Sequence, residues 1–340
     1  MKLNVTDQIE AFEQLKPEWN ELLWRSAADT VFGTWEWQST WWQVYQPGRL
    51  WLVTCRDDNG RLLGIAPWSI IETEEGRLVA AIGCIDVTDY LDVIVDASCT
   101  EAVLNCFAAF LYDHRADYDQ ISLCNIPQNS PTLAQFPNFL NERGFTTEQQ
   151  QIEVCPVIQL PSDWEGYLNC LDKKQRHELR RKLRRAEGGG EAIAWYIVSE
   201  EHNLNDELEK FLKLMAASDP KKAIFLQNEQ NVAFFRQIMP LIAANSWLQL
   251  SFLTVNGEPA AAYLNFDYKG RIMVYNSGLS RDTHDQLSAG IVLIAHNIRY
   301  AIESGYQVFD FLRGNETYKY HLGGQDTIIY TLNASKSLEA

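Results

Sequence analysis

Long apolar runs are missing from this chain. Nothing in its 340 residues approaches the roughly 18 consecutive apolar positions of a membrane-spanning helix. The N-terminal stretch MKLNVTDQIEAFEQLKPEW also lacks the apolar core of a signal peptide. The expectation is a cytoplasmic protein with no membrane span. Positive charge is scarce as well: 29 Lys and Arg against 45 Asp and Glu leave a formal charge of −16. A general nucleic-acid binder needs a basic face that displaces counterions from phosphates, so no DNA partner is expected. The seven cysteines (Cys55, Cys84, Cys99, Cys106, Cys124, Cys155, Cys170) are odd in number and never form CxxC. That spacing signals neither a disulfide framework nor a zinc knuckle, and they read as small reduced core residues. His114, His177, His202, His296 and His321 are dispersed without metal-ligand spacing, so no metal is expected.

What is present is ordinary globular material. Hydrophobic residues at 46% and charged residues at 22% suffice for a core. The length exceeds what one core usually supports, and two domains are expected, residues 1–158 and 159–340, joined by a linker around Pro156 to Ser162.

Apolar spacing at Ile9, Phe12, Leu15, Trp19, Leu22 and Leu23 predicts a first helix, and the tryptophan-rich Trp35 to Tyr45 a second. The four tryptophans there read as core rather than as an acceptor cleft. A hairpin follows, Leu50 to Cys55 and Leu62 to Ile71, turning at Asp57 to Gly60. Strands at Arg77 to Ile82 and Leu91 to Val95, a helix at Glu101 to Tyr112, a strand at Gln120 to Cys124, a helix ending before Gly144 and a strand at Ile152 to Leu160 close the first half.

The second half opens with Asp163 as a helix cap, then a very basic helix from Lys173 to Glu187. A strand at Ala192 to Val198 and helices at Leu204 to Ala217 and Val232 to Ala244 follow. Three strands at 247–255, 260–267 and 271–277, with Asn256-Gly257 and Lys269-Gly270 as tight turns, predict an antiparallel meander. A helix at Ala289 to Ser304, a strand at Gln307 to Leu312, a short helix near Asn315 to Leu322 and a strand at Thr327 to Asn333 complete it. Both halves share one order of elements, which points to an internal structural repeat.

Two junctions carry candidate chemistry. Small residues between the third meander strand and its helix, Asn276 to Leu279 and Ser288 to Gly290, leave backbone amides open to an anion at a helix N-terminus. The other reading is that Ser288 caps the helix while Ala289 and Gly290 permit close packing. The second junction is Phe309 to Lys319, a buried strand ending in a glycine and a short helix with a tyrosine and a lysine, where an open sheet commonly places ligand. Asp310 there reads either as a buried ion-pair partner or as a catalytic carboxylate.

Leu287-Ser288-Ala289-Gly290, Gly305, Phe309-Asp310-Phe311, Arg313-Gly314, Glu316 and Tyr318-Lys319, with Lys174, Arg176, Leu179, Arg180, Arg181, Arg184 and Arg185 upstream, resemble the CelD/BcsL-like acetyltransferase family of the GNAT superfamily. The resemblance covers about residues 160 to 335; Trp35-Glu36-Trp37, Gly64 to Pro67 and Asp89 to Asp92 are similar to the N-terminal half of the same proteins. It implies an α+β fold, a tandem pair of GNAT-like domains with mixed, mainly antiparallel sheets flanked by helices, distantly related to Fem peptidyltransferases. It implies acyl transfer from acetyl-CoA or another acyl-CoA, with Gln286, Leu287, Ser288, Ala289, Gly290 and Arg313 around the donor. The loop departs from the superfamily's usual (Arg/Gln)-x-x-Gly-x-(Gly/Ala), since Gln286 is followed by a glycine only at Gly290. Tyr318 stands where such enzymes carry the acid for the departing thiolate, and Lys319 where Fem-like enzymes place a charge-stabilising lysine. Asp310, Glu316 and His284 are the open choices for a base.

The acceptor implied is a small molecule, a sugar or nucleotide-sugar of polysaccharide or envelope biosynthesis. Residues 172–185 hold eight Lys/Arg against Asp172 and Glu178, a net of +6 that leaves −22 for the rest. That segregation suits an anionic substrate, an acyl carrier protein or a tRNA, or else a solvated helix paired with the acidic remainder. Two competing functions follow: a Fem-like transferase using aminoacyl-tRNA, and a non-catalytic binding module on the same fold.

Overall fold

The computed structural model describes residues 1–84, 87–188, 190–280 and 287–336. The chain divides into two compact units, one of Met1–Glu153 completed by the residues from Thr327 onward, the other Val154–Asp326.

In the first unit the order is β1 (Lys2–Thr6), α1 (Glu10–Leu23), α2 (Trp35–Tyr45), β2 (Arg49–Arg56), β3 (Leu62–Thr73), β4 (Gly76–Ala81), β5 (Ile94–Val95), α3 (Thr100–Asp113), β6 (Gln120–Pro127), α4 (Pro131–Asn141) and the start of β7 (Phe145–Gln159). Strands β1 to β4 pair antiparallel in sequence, and β6 joins β4 in parallel after the α3 crossover. Trp35, Trp37, Trp41 and Trp42 are all buried, so the tryptophan-rich helix is core. Two of its indoles find polar partners inside: Trp35 Nε1 donates to the Phe12 carbonyl at 2.7 Å and Trp37 Nε1 to Thr88 Oγ1 at 3.0 Å. Thr34 caps α2 by accepting from the Trp37 amide.

The second unit runs through α5 (Trp164–Cys170), α6 (Lys173–Gly188), β8 (Ile193–Ile197), α7 (Leu204–Ser218), α8 (Pro220–Gln227), α9 (Glu229–Ala244), β9 (Leu248–Val255), β10 (Glu258–Tyr268), β11 (Arg271–Leu279), α10 (Ala289–Glu303), β12 (Val308–Asp310), α11 (Thr317–His321) and β13 (Gln325–Lys336). Pairing repeats that of the first unit: β8 to β11 antiparallel in order, then β12 parallel to β11. Asn256-Gly257 and Lys269-Gly270 all take positive φ, the mirror-image turn that a tight hairpin requires. Helices α5, α6 and α10 pack together around Leu168, Leu179, Val292 and Ile298, while α7 and α9 pack around Phe211 and Phe235.

Three expectations are corrected. Residues 156–159 are not a linker: Val157, Ile158 and Gln159 of β7 pair antiparallel with Asp310, Phe309 and Val308, so the division falls at 153/154. Likewise β13, last in the chain, pairs with β6 through Ile329 to Ser335 and closes the first unit. Each unit thus takes its final strand from the segment that follows the other unit's last helix. Third, Cys84 and Cys124 form a disulfide with Cα atoms 6.1 Å apart, a pairing across 40 residues that spacing alone cannot reveal. No helix among the described residues is long and apolar enough to cross a membrane.

Candidate active site

The site begins with a parting of two strands. β11 pairs with β12 only over Arg271, Ile272 and Met273, and then continues to Leu279 along β10. β12 stops at Asp310, and the chain turns away at Leu312, whose φ of +55° is left-handed. Asp310 fixes that turn by accepting the Leu312 amide at 2.8 Å. A register shift between Leu264 and Asn265 leaves Tyr275 as an extra residue on β11, a bulge that bends the strand further. The far end of β11 borders a cleft of about 460 Å³, lined by Tyr263, Ser277, Ser288, Gly290, Ile291 and Tyr318 among others.

One wall is the first turn of α10. Ser288 is its N-cap residue, yet it lies in the left-handed region (φ +52°) and its side chain makes no capping bond. The capping alternative is therefore set aside. Ala289, Gly290 and Ile291 face the cleft with the positive end of the helix dipole behind them. Gly290 keeps that wall close to β11, since a Cβ there would sit 2.8 Å from Leu279 Cδ2. Gly278 does the same for the other layer: a Cβ would stand 2.6 Å from Leu214 Cβ and from the Met215 amide nitrogen of α7.

Two phenols, Tyr263 and Tyr318, also line the cleft. Burial, then Tyr263 and Glu316, raise Tyr318 far above the usual phenol range, and burial with Glu316 raises Tyr263. Both stay protonated at any working pH. Beside them Lys222 of α8 donates to the Ser277 carbonyl at 2.6 Å and to Ser277 Oγ at 3.1 Å. Burial pulls its pKa down to about 8, with Asp219 and Glu316 opposing the shift.

The sequence candidates separate accordingly. Ser288, Ala289, Gly290 and Tyr318 are brought together around the cleft. Leu287 is a core residue beneath it. Gln286 and His284 lie outside the described residues. Lys319, Asp310, Glu316 and Arg313 do not line the cleft. The buried Lys319 ammonium is engaged instead by the carbonyls of Leu312 (3.2 Å), Arg313 (2.7 Å) and Gly314 (3.1 Å) and by Glu316 Oε2 (2.9 Å). A charge so surrounded holds the turn and is not presented to a ligand. In the basic helix, Arg180 pairs with Glu165 and Arg181 with Glu178 at the surface. Lys222 and Tyr263 were not singled out from sequence. The signal for Lys222 was there: Asp219-Pro220 is a cap followed by a first-turn proline, and Asp219 Oδ1 accepts the Lys221 amide at 2.7 Å.

A six-strand sheet with a parallel step, a splayed meander strand and an open helix N-terminus beside it is the arrangement of an acyl-CoA-type transferase fold. Residues 173–320, within the second unit, match the family described as an acetyltransferase (GNAT) domain. With the same element order repeated in the first unit, the chain is a tandem pair of GNAT-like domains. Among solved structures it is similar to FemX (TM-score 0.64, 11% identity, 97% of this chain and 97% of that one). A conserved protein of unknown function from Bacteroides thetaiotaomicron VPI-5482 (0.61, 12%, 98% and 100%) and L-PGS from Bacillus licheniformis (0.55, 11%, 95% and 92%) are also similar. At these identities the likeness is one of fold. None of the curated proteins compared matches the chain.

Proposed function

We propose that the second unit moves an acyl group from an acyl-CoA or similar thioester to an amine or hydroxyl of a small polar acceptor. The observation that carries this reading is the cleft itself, because an uncapped helix N-terminus and a protonated phenol both line it. The residues fit the donor. Ser288 to Ile291 offer backbone amides and Gly290 leaves room for a phosphate, while the cleft volume lies in the range of small-molecule sites. When bound, the thioester supplies an activated carbonyl. The acceptor attacks it and the carbon–sulfur bond breaks, the amides seat the pyrophosphate, the Tyr318 hydroxyl gives its proton to the departing sulfur, and the proton the acceptor loses restores the phenol. Within the superfamily the proposed kinship is with CelD/BcsL-like acetyltransferases, and the proposed acceptor a sugar or nucleotide-sugar of polysaccharide or envelope biosynthesis.

Ligand-dependent melting tests this. Acetyl-CoA or a longer acyl-CoA at about 100 times its Kd stabilises the fold by about 2.7 kcal/mol, whereas aminoacyl-tRNA leaves the melt unchanged. Stabilisation by aminoacyl-tRNA alone favours the Fem-like alternative, and silence from every thioester removes the proposal.

A further inference from the structure

Beyond Met273 the edge of β11 that β12 pairs with is left open. Along that stretch the neighbours fix the facing of each side chain. A Cβ on Gly278 would meet Leu214 and Met215 of α7, whereas Leu279 lies against Gly290 of α10. Successive strand residues point to opposite faces, so Ser277 shares the α10 face with Leu279 and with Tyr263, its cross-strand partner. Ser277 itself lines the cleft. Its amide donates to Asn276 Oδ1 at 2.9 Å, and its carbonyl accepts from Lys222 Nζ at 2.6 Å. Its Oγ accepts from the same Nζ at 3.1 Å. Burial draws Lys222 down to about 8 against the pull of Asp219 and Glu316, so roughly nine-tenths of it is ammonium at pH 7. An ammonium only donates, which makes the serine oxygen the acceptor and turns the hydroxyl hydrogen away from the lysine. Among the described residues no group accepts that hydrogen, and the cleft lies before it.

We propose that the Ser277 hydroxyl donates a hydrogen bond to the thioester carbonyl oxygen, and that Lys222 is the positioning residue that aims this hydroxyl into the cleft. The proposal rests on the thioester reading above and adds no covalent step to it. As the acceptor's nitrogen or oxygen bonds to the carbonyl carbon, an electron pair moves onto the carbonyl oxygen. Ser277 holds that charge and keeps its own proton. When the pair returns, the carbon–sulfur bond breaks and the sulfur leaves with the Tyr318 proton as before. A donor fixed in place beforehand needs no reorganisation during the reaction, and one such group contributes about a hundredfold or more in rate. The ammonium on Oγ also polarises the O–H bond, so this hydroxyl donates more strongly than an isolated serine. With the Ser277 amide taken by Asn276, the side chain is the donor that this residue has left for a ligand.

Infrared difference spectra of the whole chain with acetyl-CoA, carrying carbon-13 at the carbonyl, read this hydrogen bond directly at pH 7, and calorimetry reports donor affinity on the same samples. The bound carbonyl band is expected at lower wavenumber in wild type than in Ser277→Ala, with affinities within about threefold of each other. Ser277→Thr keeps the hydroxyl and should keep the wild-type band. Lys222→Met leaves the hydroxyl but removes what aims it, and should shift the band part of the way toward that of Ser277→Ala; Lys222→Gln replaces it if circular dichroism shows the Met variant unfolded. Thiol release should slow about a hundredfold in Ser277→Ala with the donor KM unchanged. Superimposable bands in wild type and Ser277→Ala, both with donor bound, overturn the proposal and leave the thioester reading intact. A wild-type band in the Lys222 variant overturns the lysine's part in it. Failure of wild type to bind acetyl-CoA sinks the thioester reading itself, and the proposal falls with it.

Discussion

The Lys319 ammonium lies 2.7 Å from the carbonyl oxygen of Arg313 and within 3.2 Å of the two carbonyls on either side, closing the turn between β12 and α11 like a bound cation. Glu316 completes the shell at 2.9 Å, and Gly314 makes room for it, since a Cβ there would fall 2.5 Å from Glu316 Oε2. Removing a buried charge from such a shell strands three carbonyls. Lys319→Met is expected to destabilise the protein by about 3 kcal/mol, measured by chemical denaturation, with the damage appearing in stability first. A variant as stable as wild type but without turnover would show instead that the lysine acts on the substrate.

Tyr318 is different, because it borders the cleft and its hydroxyl makes no hydrogen bond among the described residues. Tyr318→Phe is expected to keep donor affinity and melting temperature while lowering the rate of thiol release about a hundredfold, the usual contribution of a general acid. Burial holds this phenol above the ordinary range, so its ionisation takes no activity away between pH 8 and pH 10. An alkaline limb in that interval that disappears in the Phe variant would contradict the assignment.

Gly290 tests the phosphate seat. Gly290→Asp places a carboxylate beside the α10 amides, where it competes with the donor's pyrophosphate. The expectation is at least a tenfold loss of acyl-CoA affinity by calorimetry, with the far-UV circular dichroism unchanged. Unaltered affinity would move the phosphates elsewhere.

Much of this was legible in the sequence wherever the cause is local. Trp35–Tyr45 is legible to the residue because its period is helical, and the Asn-Gly and Lys-Gly turns give the meander. Two kinds of feature escaped. Partners distant in sequence leave no mark on spacing, hence the missed Cys84–Cys124 bridge and the reciprocal placement of β7 and β13. Burial escaped too: Lys319 follows Tyr318 by one position, yet one is a turn fastener and the other borders the cleft. Helix α8 and its Lys222 leave little mark on the sequence, because eight residues with two lysines show little periodicity.

Close packing behind β11 gives a stability prediction. Gly278→Ala drives a methyl into the α7 backbone at 2.6 Å, an obstacle that no side-chain rotation relieves. Overpacking of this kind costs about 1–3 kcal/mol, and because Ser277 is the adjacent residue, donor affinity should fall with it. Gly290→Ala meets only the flexible end of Leu279 and is expected to cost less. Equal melting temperatures for the two alanine variants would overturn this account.

In the first unit Asp92 supplies a pH dependence of defined sign. Its carboxylate accepts from Ser130 Oγ and from the Val93 amide at 2.8 Å, yet burial outweighs these and the Thr132 hydroxyl together and pushes its pKa up to about 6. The folded chain therefore holds a proton that the unfolded chain gives up near pH 4. The stability this group confers is complete below about pH 4 and declines as pH rises to about 6, after which the deficit is constant at about 3 kcal/mol or less. Asp96 slopes the other way at lower pH: it is buried too, but Ser98 and Arg25 hold it at about 2. Comparison of wild type with one variant removes that background. Asp92→Asn, which cannot ionise, is expected to be more stable than wild type by about 1–3 kcal/mol at pH 7.5, and the advantage should shrink toward pH 4. Parallel stability curves for the two proteins between pH 4 and pH 8 would mean that Asp92 is solvated well enough to ionise at its ordinary pKa.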